Sequence, residues 1–124
     1  MIDHVSVPVR DLQRSMAFYD AVLAVLGYRR LDTRAATAGY GKTYSEFWIN
    51  LRADAAAYDG SHVALRARSA GVVDAFYAAA LAAGGESAGA PGLRPAHGER
   101  YYAAFIRDPD GNVIEAVTFV GAQS

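Results

Sequence analysis

The chain contains no cysteine, which excludes disulfides and thiolate chemistry and leaves only nitrogen and oxygen donors for any metal. A dominant charge is missing too: 12 Lys and Arg stand against 13 Asp and Glu, a formal net charge of −1. That balance gives no electrostatic footprint for nucleic acid or for an anionic membrane. No apolar run approaches the roughly 20 residues that span a bilayer. The opening Met1-Ile2-Asp3-His4 has neither the basic nor the apolar segment of a secretory signal, so the cytoplasm is the expected compartment. What remains is 124 residues, 52% hydrophobic and 20% charged, which suits one globular domain with its own core.

The sequence matches itself when slid by 58 positions (62 − 4): His4-Val5 falls on His62-Val63. The same register places Ala17-Phe18-Tyr19 on Ala75-Phe76-Tyr77, Leu23 on Leu81 and Gly27 on Gly85. Alanine matches are cheap in so alanine-rich a chain, but paired His-Val and Phe-Tyr dipeptides in one ungapped register are not. Two modules are expected, about 1–56 and 59–120, within a single domain 1–124, joined by the segment from Ala55 to Gly60.

Each module follows one coarse plan. Residues 2–9 alternate β-branched and other side chains, a strand signal. Asp11 sits where a helix N-cap belongs, Leu12, Met16, Tyr19, Leu23 and Leu26 recur at helical spacing, and Gly27 is a natural stop. Strand-like stretches follow at about 28–33 and 44–51. The second module repeats this with a strand at 62–67, a helix at 70–83 ending on Gly84-Gly85, and strands at 100–107 and 112–119. Asp108-Pro109-Asp110-Gly111 between those last strands has proline and glycine where a tight hairpin turn wants them. The glycine- and proline-rich segment 88–98 reads as a loop. The fold class is therefore α+β: two tandem βαβββ modules forming a half-open barrel around a cavity, with helices on one sheet face.

Glu115 lies inside the apolar run from Val113 to Phe119, where a carboxylate is costly unless paired or metal-bound. His4 and His62 occupy equivalent repeat positions at strand starts. Two imidazoles and one carboxylate from separate strands have the donor chemistry of a 2-His-1-carboxylate metal site with open coordination positions. The plainer alternative is that the histidines are solvated and that Glu115 pairs with an arginine such as Arg107.

The pattern Asp3-His4-Val5-Ser6-Val7, Asp11-Leu12 with Phe18-Tyr19, Ser61-His62-Val63-Ala64, and Asp108-Pro109-Asp110-Gly111-Asn112 followed by Glu115 resembles the vicinal oxygen chelate superfamily over about residues 1–120. That group includes glyoxalase I, extradiol dioxygenases, fosfomycin-resistance thiol transferases and bleomycin-resistance proteins. The resemblance implies metal ligands His4, His62 and Glu115, one divalent ion per site (Fe, Mn, Zn, Ni or Co), and a homodimer whose sites are often built from both chains. By the same likeness Ser6 matches a catalytic hydroxyl of the fosfomycin-resistance enzymes. Their tyrosine three residues before the Asp-Pro-Asp-Gly turn is Phe105 here, and the glutamate that glyoxalase I places late in its first module has only Glu46 to match it, near that strand's start.

Strand alternation groups the pocket walls: Ser6 with His4, Arg66 with His62, and Tyr101, Phe105 and Arg107 on one face of the penultimate strand. Trp48 is a candidate floor, and Arg94 and His97 are candidates for a covering loop. Ordinary core packing is the competing role for Trp48 and Phe105. Two functions follow. One is a metal-dependent enzyme (a lyase, thiol transferase or dioxygenase) that chelates two oxygens of a small oxygen-rich substrate; the intact His/His/Glu set and Ser6 favour it. The other is a non-catalytic protein that sequesters an antibiotic-like molecule between aromatic walls.

Overall fold

The structure, a computed structural model, describes residues 1–54 and 61–121. The joint expected at 55–60 lies outside the described residues. The first half runs β1 (Val5–Val9), α1 (Leu12–Val25), β2 (Arg29–Thr33), β3 (Thr37–Gly41) and β4 (Phe47–Leu51). The second repeats it as β5 (His62–Arg66), α2 (Ala70–Ala82), β6 (Glu86–Leu93), β7 (Tyr101–Arg107) and β8 (Val113–Phe119). Two tandem βαβββ modules thus make two four-stranded mixed sheets, ordered β1-β4-β3-β2 and β5-β8-β7-β6, that do not close on each other. In each sheet the first strand of the module pairs parallel with the last, and the other pairings are antiparallel.

Local chemistry explains the correspondence. The caps of the two helices lie 58 residues apart (69 − 11): Asp11 accepts from the backbone N–H of Arg14, and Ser69 from that of Val72. The helix stops differ by one position. Gly27 takes a left-handed φ of 86°, whereas in the second module Gly84, not Gly85, does so with φ 103°. Gly85 serves packing instead, since a Cβ there would stand 2.9 Å from Phe18 Cε1.

One core joins both halves. Val7, Val9, Phe47 and Ile49 turn the same face of the first sheet to Phe18, Tyr19, Val22 and Leu23 of α1; Ile106, Ile114 and Ala116 do the same for Val73, Phe76 and Ala80 of α2. Burying each large apolar side chain contributes roughly 1.5–3 kcal/mol. Alternation leaves the opposite face of each sheet without a helix, and this open face carries the candidate site.

The turn between β7 and β8 is more than a hairpin. Asp110, 8% exposed, accepts hydrogen bonds from Arg10 N (3.1 Å) and Nε (3.0 Å), Arg14 Nη2 (3.0 Å) and Ser15 Oγ (3.3 Å), all from the first module. Asp108 accepts from Tyr19 Oη at 2.6 Å, and Asn112 Nδ2 donates to Pro8 O at 2.9 Å. Buried carboxylates so satisfied fix the angle between the modules.

Segment 88–98 departs from the sequence reading: most of it belongs to strand β6, and only residues after Leu93 form the connection to β7. Its Gly and Pro content hid a strand because β6 is an edge, with register shifts between Ser87 and Gly89 and between Gly89 and Gly92. An edge strand tolerates proline and bulges. Strand β3, Thr-Ala-Gly-Tyr-Gly, escaped the sequence for a similar reason. There Gly41 is required by close approach, since a Cβ would meet Tyr44 O at 1.7 Å.

Candidate functional site

On the open face of the second sheet Glu115 is held by its strand neighbours. Its register partners are Ala64 on β5 and Phe105 on β7, so the carboxylate rises between a small side chain and a ring. It is 2% exposed. His62 Nε2 lies 2.8 Å from Glu115 Oε1, and the Tyr101 hydroxyl donates to Oε2. Burial first, and the Glu115 bond second, push the Tyr101 hydroxyl up to about 12, so it stays a donor at neutral pH. Among the described residues no Lys or Arg forms an ion pair with Glu115; Arg107 sits a row away, opposite Val113 and Glu86.

Rings and guanidinium groups surround this pair. The Phe105 ring lies 5.8 Å from the His62 ring, and the Phe119 and His97 rings stand 5.6 and 5.1 Å from that of Tyr101. Arg66 covers Phe119 at 4.8 Å and Arg94 covers Phe105 at 5.4 Å. Eight of the residues singled out from sequence, His62, Glu115, Tyr101, Phe105, Arg107, Arg66, Arg94 and His97, thus gather on the second sheet and the connection beside it.

The remaining candidates are elsewhere. Ser6 and Trp48 are register partners on the open face of the first sheet, Ser6 exposed and Trp48 half-buried, with Arg34 stacked 5.2 Å from the indole. His4 precedes β1, is exposed, and its Nδ1 lies 2.8 Å from Asp3 Oδ1. His4, Glu46 and His62 all line a groove of about 330 Å³ between the modules. One chain therefore joins His62 to Glu115 and leaves His4 on the same groove but turned to Asp3. Among the described residues no three His, Asp or Glu side chains come together as a metal-holding group. The donor types nonetheless fit a divalent ion, because a buried carboxylate faces an imidazole nitrogen with no fixed cation to balance it.

The register identifies the first module's counterpart of Glu115. Ser6 corresponds to Ala64 at the repeat offset; Ser6 pairs with Trp48 and Ala64 with Glu115. Trp48 therefore stands at the position equivalent to Glu115, and Glu46 stands one row below it, level with His4.

A family model described as the Glyoxalase/Bleomycin resistance protein/Dioxygenase superfamily matches residues 1–116. The chain belongs to this superfamily. A glyoxalase/bleomycin resistance protein from Albidiferax ferrireducens T118 has the same fold at 36% identity and TM-score 0.83, over 93% of this chain and 96% of that one. A glyoxalase/bleomycin resistance protein/dioxygenase family enzyme from Burkholderia phytofirmans PsJN superposes at TM-score 0.75 with 20% identity, covering 96% and 98%. The fosfomycin resistance protein FosX from Listeria monocytogenes does so at TM-score 0.70 with 16% identity, over 94% and 91%, a likeness of fold alone. No protein of curated function matches the sequence. No helix among the described residues is long and apolar enough to cross a membrane.

The Asp108–Asp110 clamp on Arg10, Arg14, Ser15 and Tyr19 was not legible from sequence, because Asp-Pro-Asp-Gly already has a sufficient reading as a turn.

Proposed function

We propose that this glyoxalase-superfamily protein is a metal-dependent enzyme whose site is the open face of the second sheet, with His4, His62 and Glu115 as ligands of one divalent ion. The observation that carries the reading is Glu115: a buried carboxylate, bonded among the described residues only to a half-exposed imidazole and a tyrosine hydroxyl. Removing such a group from water is expensive, and a metal ion would offset the cost. Among the described residues His4 is held only by its neighbour Asp3, on a shared groove, so little opposes its recruitment as third ligand. The ion would polarise paired oxygens of a small oxygen-rich substrate. The chain's own groups then orient it: Tyr101 fixes the Glu115 carboxylate, and Phe105 and Phe119 wall the face against water. Ser6 offers a hydroxyl from the other sheet.

Two open sheet faces and the exposed Phe119, Leu93 and Tyr44 side chains support a symmetric homodimer that covers them. Arg-capped rings on both faces favour a second reading, capture of a flat antibiotic-like molecule without chemistry. Metal analysis of protein purified without added metal, repeated on His62→Ala, separates the two. Stoichiometric metal in the wild type that is lost in the variant is expected for the enzyme. Wild-type protein that takes up no Fe, Mn, Zn, Ni or Co on reconstitution would exclude it.

A further inference from the structure

Arg94 is held in a way that a solvated surface arginine is not. It is the residue after β6, and its backbone N–H donates to Tyr101 O at 2.8 Å, which directs the side chain onto the open face of the second sheet. There the guanidinium turns back along its own strand: Nη2 donates to Ala90 O at 2.6 Å, and Nη1 makes a longer contact with Leu93 O at 3.4 Å. Its Cζ lies 5.4 Å from the centre of the Phe105 ring.

Two glycines make room for this. A Cβ at Gly92 would stand 3.2 Å from Arg94 Nη1, and one at Gly89 would stand 3.2 Å from Nη2 and 3.1 Å from Phe105 Cδ1. Both contacts are tighter than side chains ordinarily make. Glycine inside a strand costs stability and commonly marks close approach of another group. Here that group is a guanidinium placed over a ring, and the ring is the register partner of Glu115. Among the described residues no carboxylate pairs with Arg94. Of its five N–H donors, two point at backbone carbonyls, which leaves a pre-placed, uncompensated fork over Phe105, the ring that neighbours His62 and Glu115.

We infer that Arg94 is a specificity-determining residue, and that the ligand of this face is a small organic oxyanion, carboxylate or phosphonate, joined to a flat apolar group that lies against Phe105. A planar guanidinium donates two parallel N–H bonds to such an oxyanion, and its pre-organised position spares the entropy of ordering a long side chain on binding. The inference deepens the reading of the Glu115 site and depends on it only for where the substrate sits.

The test uses benzoate and phenylphosphonate as anionic probes and benzamide as the neutral isostere of benzoate. Binding is followed by ligand-observed NMR on full-length protein stripped of metal. Wild type should bind an anionic probe at least ~10-fold tighter than benzamide, in line with the strength of a bidentate charged pair. The better of the two anions identifies the headgroup. Arg94→Gln should bring both anions to the benzamide level while leaving benzamide binding unchanged, which also shows that the variant is folded. Gly92→Ala keeps every charge but crowds Arg94 Nη1 at 3.2 Å and shifts the guanidinium by a few tenths of an ångström, so its preference should fall between the two. Wild type that binds the anions no better than benzamide, or a preference that survives Arg94→Gln, overturns the inference. A parallel Co²⁺ titration keeps the two readings separate: Co²⁺ binding without anion preference sinks this one alone, and anion preference without Co²⁺ binding sinks the metal reading alone.

Discussion

The same row of the two sheets can be compared position by position. Across the first sheet it reads Ser6, Trp48, Gly39, Asp32; across the second, Ala64, Glu115, Phe105, Gly89. In each row one large ring lies over a glycine on the next strand: a Cβ would stand 2.9 Å from Trp48 Cζ3 at Gly39 and 3.1 Å from Phe105 Cδ1 at Gly89. The ring has moved one strand outward in the second sheet, and the vacated position is Glu115. The duplicated scaffold therefore holds two unlike faces, one aromatic where the other carries a carboxylate. The difference teaches that a repeat preserves backbone and core while its open faces diverge, because only the helix-covered faces are constrained by packing.

The sharpest way to break this comparison is to remove the carboxylate and the indole in turn. Glu115→Gln keeps shape and loses charge, so metal affinity should fall by more than ~100-fold, since even outer supports of a ligand are worth 10–100-fold. Trp48→Gln, at the equivalent position, should leave metal affinity unchanged; calorimetric titration with Co²⁺ reads both. Equal losses in the two variants would mean that the faces are not functionally distinct.

A second experiment asks which chain supplies His4. Neither His4→Ala nor Glu115→Gln protein should bind metal alone. Refolding the two together should restore metal to half the sites of the mixed dimers if the third ligand crosses between chains, because each such dimer then assembles one intact set. No restoration would assign His4 to its own chain's site.

The joints between strands differ as the faces do. Asp110 ties the β7–β8 turn to the first module through four donors, whereas Ser45, before β4, donates at 2.6 Å to Asp32 of its own module. Asp110→Ala should lower unfolding free energy by about 2–3 kcal/mol, a buried-pair loss discounted because Arg10 and Arg14 are 38% and 47% exposed. Ser45→Ala should cost about 1 kcal/mol or less. Urea titration distinguishes them, and comparable losses would remove the case for Asp110 as the module clamp.

What the sequence made legible follows the same division. The β1–α1 and β5–α2 units could be read because the His-Val and Phe-Tyr dipeptides and a glycine, Gly27 and Gly85, recur in register with helical spacing between them. Strands β3 and β6 could not, because Gly39, Gly41, Gly89 and Gly92 are there to admit neighbouring groups and erase the alternation that marks a strand. His62 and Glu115 could be named because a polar residue in an apolar strand stands out. Their bond to each other, the support from Tyr101 and the turn of His4 toward Asp3 depend on register and rotamer, which no spacing encodes. The exchange of Glu115 for Trp48 was hidden as well, because the offset of 58 does not extend to the last strands: Glu115 lies 67 residues beyond Trp48 (115 − 48).

A difference smaller than that of the Asp110 clamp lies inside the repeat itself. Tyr19 and Tyr77 are equivalent at offset 58, but only Tyr19 is fully buried, and its hydroxyl donates to Asp108 at 2.6 Å. Tyr77 is half-buried, and among the described residues its hydroxyl makes no hydrogen bond. Tyr19→Phe should therefore cost about 1–1.5 kcal/mol, since Asp108 keeps the Asn112 Nδ2 bond at 2.8 Å, while Tyr77→Phe should be nearly neutral. Alkaline pH provides an independent reading. Burial, and then the Asp108 carboxylate, raise the Tyr19 hydroxyl well above its usual value of about 10. A folded-state value above the unfolded one means that the bond's contribution is intact below about pH 10 and is lost as pH climbs toward the folded value. Between pH 9 and about 11 the wild type should lose stability more steeply than Tyr19→Phe, and the gap between the two should narrow. Tyr77→Phe should run parallel to wild type throughout. A gap that stays constant across that range would show that the Tyr19 hydroxyl is not held by Asp108, and that the two halves are alike at this position.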